Sequence, residues 1–368
     1  IFDPRSWGAS VELQNRITLE FMRVVLATGL FAVGVELPNK YLVKHARSLL
    51  IMVMPTMAFG WLVVAGIIHT LFPALTYVSA LAIAACLTPT DPVLAAAIIG
   101  GRFADKSVPA HLSHLLRHVP TFAESATNDG LAYPFLSISM YLAVETSKRA
   151  AFGKWFLIGW LYQVILGTIL GAVIGLAFYQ VLRLSHRRGF INRESFIAQY
   201  LALAIFTIGV ASSLGVDDLL AAFAAGNAIS WDGHFNAHIE GQVFASVIDL
   251  VFNCACFIYI GAWIPFDKYG ATDLGLEPWC LVVLLIAIFT IRRIPSILSL
   301  YRFMPDAKDW REALFCGHFG PMGVGAVFVS SLALSELPQP SSPPASQNEL
   351  LAASPDNIIC RAGIHHYS

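Results

Sequence analysis

Apolar runs of about twenty residues recur along the whole chain, and nothing else in the sequence constrains its fold as strongly. A run of that length crosses the hydrocarbon layer of a bilayer as a helix. The runs fall near residues 17–37, 49–70, 75–100, 121–145, 155–182, 196–214, 217–231, 243–264, 279–299 and 312–334; the seventh is the shortest. Composition agrees. The chain is 57% hydrophobic and 13% charged, where a soluble domain carries about 25% charged residues, and its mean hydropathy is +0.66. The expected class is all-α, a polytopic membrane protein whose partner is the lipid bilayer. Residues 1–334 form the membrane unit; residues 335–368, Pro/Ser-rich and then irregular, read as a loop and tail with no packed core. A formal net charge of −1 provides no field for a nucleic-acid partner, and none is expected. Cys86, Cys254, Cys256, Cys280, Cys316 and Cys360 form no spaced ligand set and read as small packing residues. The opening IFDPRSWG has neither a charged n-region nor an apolar core. The first residue is not Met, so a fragment or processed form is expected.

Basic residues set the orientation. Lys40, Lys44 and Arg47, then Arg102, Lys106 and Arg117, then Arg183, Arg187, Arg188 and Arg193, then Arg302, Lys308 and Arg311 collect on one side. The other side carries Lys268, with Lys148, Arg149 and Lys154 as the exception. The richer side is expected to be cytoplasmic, which places residues 1–16 outside.

Two spans break the rule that a membrane helix is continuous. The third reads ALAIAACLTPTDPVLAAAIIGG. Pro89 and Pro92 each remove a helix N–H and clash with the preceding turn, so the helix is expected to unwind around Thr90 and Asp91. The tenth reads ALFCGHFGPMGVGAVFVSSLAL, and its glycines together with Pro321 predict a second break. Broken backbone at membrane depth survives only when buried in protein or lining a wet cavity. One interrupted helix in each half of a chain is the sequence pointer to a transporter's binding site. A single proline kink is ordinary in a membrane helix, but here a carboxylate lies inside the kink, and intramembrane ionisable groups are functional by default.

The stretch ESATNDG, residues 124–130, adds two more carboxylates. On a helix Glu124 and Asn128 share one face, and Ser125 and Asp129 the adjacent one. Carboxylate, hydroxyl and amide oxygens together suit a small hard cation. Desolvation favours a protonated carboxyl group and a bound cation favours the ionised one. One buried carboxylate can therefore trade a proton for a metal ion. The alternative reading starts this span at Leu131 and leaves Glu124 to Asp129 in a solvated loop.

Other ionisable groups keep two readings. Arg292 and Arg293, inside the ninth span, either snorkel to the helix end or neutralise a buried carboxylate such as Glu124. Asp217 and Asp218 open the seventh span, where they either cap it or take part in proton movement. Asp249 and Asn253 lie four apart and read as interhelical hydrogen-bonding groups. His111, His114 and His118 mark an interfacial helix with solvated imidazoles or a pH sensor. His318, in the tenth-span break, is a candidate for proton handling.

The segments CLTPTDPVLAAAIIGGRFADKSVPAHL, ESATNDG, DDLLAAFAAGNAISWDG, VIDLVFNCACFIYIGAWIPF and REALFCGHFGPMGVGA carry a resemblance. The chain resembles the monovalent cation–proton antiporter superfamily, and most closely the fungal plasma-membrane Na+/H+ antiporters, from about Phe2 to about Ala352. The resemblance implies a homodimer, and an inverted-repeat fold in which two unwound helices, here the third and tenth spans, cross beside the ion site. It implies exchange of Na+, K+ or Li+ for H+ by alternating access, in the service of salt tolerance and pH homeostasis, with no cofactor beyond the transported ions. Asp129, paired with Asn128, is the implied carrier; Glu124, Ser125, Thr90 and Asp91 complete or tune the site, with Asp129 and Asp91 touching the metal ion. The buried arginine of the family falls on Arg292 or Arg293. The chain departs from the family in lacking two spans before Phe2 and one after the tenth, so the fold is expected to be incomplete at both ends. The link HLLRHVPTFAESA is longer by about five residues, and Ala126 and Thr127 stand where the family has Gly-Cys. A truncated, non-transporting fragment is the alternative to an antiporter. A channel would need a continuous polar path, and the chain offers two localised breaks. An intramembrane enzyme would need a nucleophile motif, and neither GxSxG nor HExxH occurs.

Overall fold

The computed structural model describes residues 10–37, 40–91, 121–190, 193–232, 243–266, 276–318 and 322–337, with residues 4, 7, 269 and 320 besides. The regular structure among them is entirely helical. In chain order the helices are α1 (Val11–Glu36), α2 (Tyr41–Lys44), α3 (Ala46–Leu71), α4 (Tyr77–Cys86), α5 (Thr121–Gly130), α6 (Ala132–Val144), α7 (Lys148–Arg187), α8 (Arg193–Leu214), α9 (Asp218–Ile229), α10 (Val243–Trp263), α11 (Pro278–Ile291), α12 (Ile294–Leu300), α13 (Trp310–His318) and α14 (Val324–Glu336). Among the described residues four apolar helical stretches are long enough to cross a membrane: Glu12–Glu36, Ala46–Leu71, Lys148–Arg187 and Pro278–Phe303, the last bent at Arg292 and Arg293. The third of these runs 40 residues and contains the whole expected 155–182 span, its Trp155–Leu166 stretch wound as a π-helix. The expected 75–100 span is described only to Asp91. Pro92, Arg102, Lys106, His111, His114, Arg117, His118, Lys268, Pro321, Cys360 and nearly all of the expected tail lie outside the described residues.

Side-chain oxygens start several helices. Ser10 accepts from the Leu13 N–H at 3.2 Å, Thr76 from Ser79 at 3.2 Å and Asp217 from Leu220 at 2.8 Å, each satisfying an orphan donor of the first turn. Within α3, Pro55 has no N–H for the Ile51 carbonyl. The neighbouring Thr56 hydroxyl donates to that carbonyl at 3.1 Å, and the helix continues unbroken.

α9 lies between α1 and α7 at backbone contact distance. A Cβ placed on Gly171 of α7 would sit 2.7 Å from the Ala221 carbonyl carbon, and one on Gly226 of α9 would sit 3.0 Å from that of Phe31. Small residues let membrane helices approach this closely and gain packing that lipid cannot match. Around this three-helix panel, Met22, Leu30, Phe31, Leu136, Leu203 and Ile229 form a continuous buried core with α6, α8 and α14. The core packs the panel against the helices that carry the ionisable groups.

Candidate functional site

The first break follows from its prolines. Helix α4 ends at Cys86, and residues 87–91 are non-helical. A continuing helix would bond the Thr88 carbonyl to the N–H of residue 92, which is proline. The second break separates α13 from α14. Arg292 joins the two. Its Nη1 donates to the carbonyls of Leu87 and, at 3.3 Å, Thr88, while its Nη2 donates to the carbonyl of Gly320. A guanidinium with five donors thus replaces backbone donors missing from both broken helices. This is neither of the roles that the sequence suggested for Arg292.

Arg293 takes the other role. Its Nη1 and Nη2 donate to the two carboxylate oxygens of Glu124 at 2.7 Å each, with Glu124 fully buried. The fork geometry is the strong form of this pair. Glu124 also accepts from Asn128 Nδ2 at 3.0 Å. Asn128 then clasps the first break: its Nδ2 donates to Thr90 Oγ1 at 2.7 Å, and its Oδ1 accepts the Thr90 N–H at 2.9 Å. Thr90 Oγ1 donates to Ser125 Oγ at 3.0 Å. ESATNDG therefore lies on buried helix α5, not in a solvated loop; the alternative start at Leu131 is set aside by the near-complete burial of Glu124, Ser125, Asn128 and Asp129.

Asp129 differs from its neighbours. It is 3% exposed, and among the described residues neither carboxylate oxygen has a hydrogen-bond partner. Asp91 and Glu124 are like charges that act on it. The second break is glycine-lined where it meets these acids. A Cβ at Gly325 would stand 2.7 Å from Asp129 Oδ1, and one at Gly323 would strike the Asp91 carboxylate. Two carboxylates thus face glycine backbone at the N-terminal end of α14, beside the second break. No group of three or more His, Cys, Asp or Glu side chains that could hold a metal ion occurs among the described residues.

On one side of Asp129 opens a polar cavity of about 140 Å³, lined by Arg23, Asp129, Tyr133, Gln163, Asp217, Asp218 and Glu336 among others. Asp217 both caps α9 and faces this cavity; Asp218 pairs with Arg23 at 2.6 Å. A second cavity, of about 10 Å³, lies between Thr88, Thr90, Glu124, Asn128, Arg292 and Arg293. His318 ends α13 with an exposed side chain and lines neither cavity. The side chain of Asp249 is outside the described set. Sequence reading missed Arg23, Tyr133, Gln163 and Glu336. Arg23 had a visible signal, a cation inside the first apolar run, where a buried partner is required.

An all-helical membrane bundle with two helices broken beside a buried, unbonded carboxylate is a secondary-transporter architecture. The chain belongs to the sodium/hydrogen exchanger family: the family described as "Sodium/hydrogen exchanger, transmembrane" matches residues 7–352. It is an integral membrane protein. It is 44% identical over 361 residues to a probable Na(+)/H(+) antiporter of Schizosaccharomyces pombe, covering 98% of this chain and 46% of that protein. It is 44% identical to Na(+)/H(+) antiporter 2 of Zygosaccharomyces rouxii (91% of this chain, 40% of that one). It is 43% identical to the Na(+)/H(+) antiporter of Saccharomyces cerevisiae (91% and 33%). The chain thus spans half or less of the length of these relatives. Its fold is similar to that of the sodium proton antiporter of Methanocaldococcus jannaschii, with a TM-score of 0.64 at 16% identity over 97% of this chain and 86% of that one.

Proposed function

We propose that this chain exchanges Na+ for H+ across the plasma membrane by alternating access, with K+ and Li+ as further candidate cargo. The observation that carries this reading is Asp129: a carboxylate 3% exposed, without a hydrogen-bond partner among the described residues, set where two unwound helices meet. Such a group is stable when protonated or when a cation is bound, and costly when bare. One ligand therefore excludes the other, and exclusive occupancy couples the two fluxes.

The surrounding residues divide the work. Glu124 is engaged by Arg293 and Asn128, and Asn128 by the backbone and hydroxyl of Thr90. We assign these residues to holding the first break in place. Asp129 and Asp91 supply charge to the cation, and the Thr90 and Ser125 hydroxyls complete or tune the site. The enrichment of Lys and Arg in the 38–47, 183–193 and 302–311 segments supports a cytoplasmic position for those segments, and with it an external position for the cavity of about 140 Å³. The exposed apolar faces of α7 and α11 meet lipid and, in the dimer we propose, a second copy.

The test is dissipation of a preset pH gradient in proteoliposomes on addition of Na+, for the parent and for Asp129→Asn. The parent releases the gradient and the variant does not, while both remain folded. Retained exchange in the variant overturns the assignment of Asp129, and no response from either overturns the antiporter reading for this chain.

A further inference from the structure

We propose that the polar cavity beside Asp129 is the wet route to the site from the external side, and that Glu336 captures the cation at its mouth. The inference rests on the antiporter reading and names residues that reading does not use. The floor is Asp129, buried and without a hydrogen-bond partner. One wall rises along α6, where Tyr133 follows Asp129 by four positions and shares its face. The opposite wall is α14, which contributes Phe328, Val329, Leu332 and Glu336; the last three are spaced so as to line one helical face. Glu336 is exposed where Asp129 is buried, so the cavity runs from a surface carboxylate to a buried one. Its volume of about 140 Å³ holds several waters.

The charges around the cavity are not equivalent. Arg23 neutralises Asp218 at 2.6 Å and also reaches Glu20 at 2.6 Å. Asp217 is committed to the Leu220 N–H. Glu336 has no cationic partner among the described residues; its hydrogen bond there is a long one, 3.4 Å, from the Tyr133 hydroxyl. It is therefore the carboxylate best able to accept an incoming cation and pass it inward. The space of about 10 Å³ between Thr90, Arg292 and Arg293 is at the lower limit for one water, so of these two cavities it is the larger that can hold several waters.

The experiment measures Na+ dependence of exchange separately from the two faces, in right-side-out and inside-out vesicles. Glu336→Gln is expected to raise the half-saturating Na+ concentration roughly fivefold from the cavity side, the scale of one charge acting across water over a few ångströms. The opposite face should shift less. Tyr133→Phe should give a smaller change in the same direction, and Glu336→Asp should recover most of the parent value. Equal shifts from both faces, or none, overturn the capture role. A second readout does not need transport: Leu332→Cys should react with a membrane-impermeant charged thiol reagent added on the cavity side, with the parent as control for its own cysteines. Failure to react overturns the wet route. A parent without Na+-driven flux overturns the antiporter reading and the capture role with it, whereas a parent with flux and an unshifted Glu336→Gln overturns the capture role alone.

Discussion

The α1–α9–α7 panel and the pair of broken helices solve the same problem, polar backbone in an apolar medium, in opposite ways. In the panel the helices stay continuous, and close approach comes from removing side chains. Gly171 sits against Ala221, and Gly226 against Phe31, with no room for a Cβ. In the broken pair the backbone is opened, and its orphan carbonyls are satisfied by the imported cation Arg292. The panel gains stability from contacts that can only be broken by separating the helices. The pair is held by a few long side chains whose partners can be exchanged. A carrier that alternates needs both: a surface that does not deform, and a site whose ligands can change.

The largest effects should fall on the broken pair. Asp129→Asn keeps the shape and loses the titratable charge, so exchange should drop to the background of empty liposomes with thermal stability held or raised. A variant that unfolds would show that the carboxylate is structural. In the parent, lowering the pH fills Asp129 with protons, so the half-saturating Na+ concentration should rise by up to tenfold per pH unit. A pH-independent value would break the idea of one shared site. Next comes the Arg293–Glu124 pair. Removing one partner leaves the other buried and unpaired, so Arg293→Ala or Glu124→Ala should each lower stability by about 3–5 kcal/mol. The double variant should lose less than the sum, and a thermal-shift double-mutant cycle reads that coupling. Additive losses would mean that the bidentate contact contributes nothing specific.

How much of this contrast the sequence discloses depends on the range of the forces involved. The interrupted spans are legible because proline acts on its own turn: Pro89 and Pro92 identify the unwound residues without any tertiary information. The shared faces of Glu124, Asn128 and Asp129 are equally legible, since helical spacing alone aligns them. The partners are not. Arg292 and Arg293 are adjacent in sequence, and only the turn of the backbone between α11 and α12 sends one to Glu124 and the other to three carbonyls. The polar cavity draws on α1, α6, α7, α9 and α14, and no local pattern connects them. Arg23 could have been flagged by its depth in an apolar run. Glu336, at a helix end, reads like any solvated acid.

In the panel the expected losses are smaller and leave ion affinity alone. Gly171→Ala places a methyl group against the Ala221 backbone, where overpacking costs about 1–3 kcal/mol. It should lower the melting temperature with the half-saturating Na+ concentration held. A change in Na+ affinity with unchanged stability would show that the panel reports on the site directly and would dissolve the distinction between the two regions.

The smallest effect separates a proline that breaks a helix from one that does not. Pro55 and Pro89 both remove an N–H, yet α3 runs on past Pro55 while α4 stops before Pro89. At Pro55 the freed Ile51 carbonyl is met locally by the Thr56 hydroxyl at 3.1 Å; at the first break the Ala85 carbonyl freed by Pro89 accepts the Thr88 N–H at 3.3 Å, while the carbonyls of Leu87 and Thr88 are met from Arg292, more than 200 positions along the chain. Thr56→Val keeps the shape and removes both the donor to Ile51 and the acceptor of the Ser296 hydroxyl at 3.3 Å, so it should cost about 2 kcal/mol, the penalty for two unmade buried bonds. Pro55→Ala in the same chain supplies the backbone N–H again, and the double variant should regain the part of that loss due to the Ile51 carbonyl. If Thr56→Val is neutral, the local hydroxyl is not what keeps α3 whole. The difference between the two prolines would then lie in the second proline, Pro92, that follows the first break, and Pro55→Ala alone would stabilise α3 by as much as the pair.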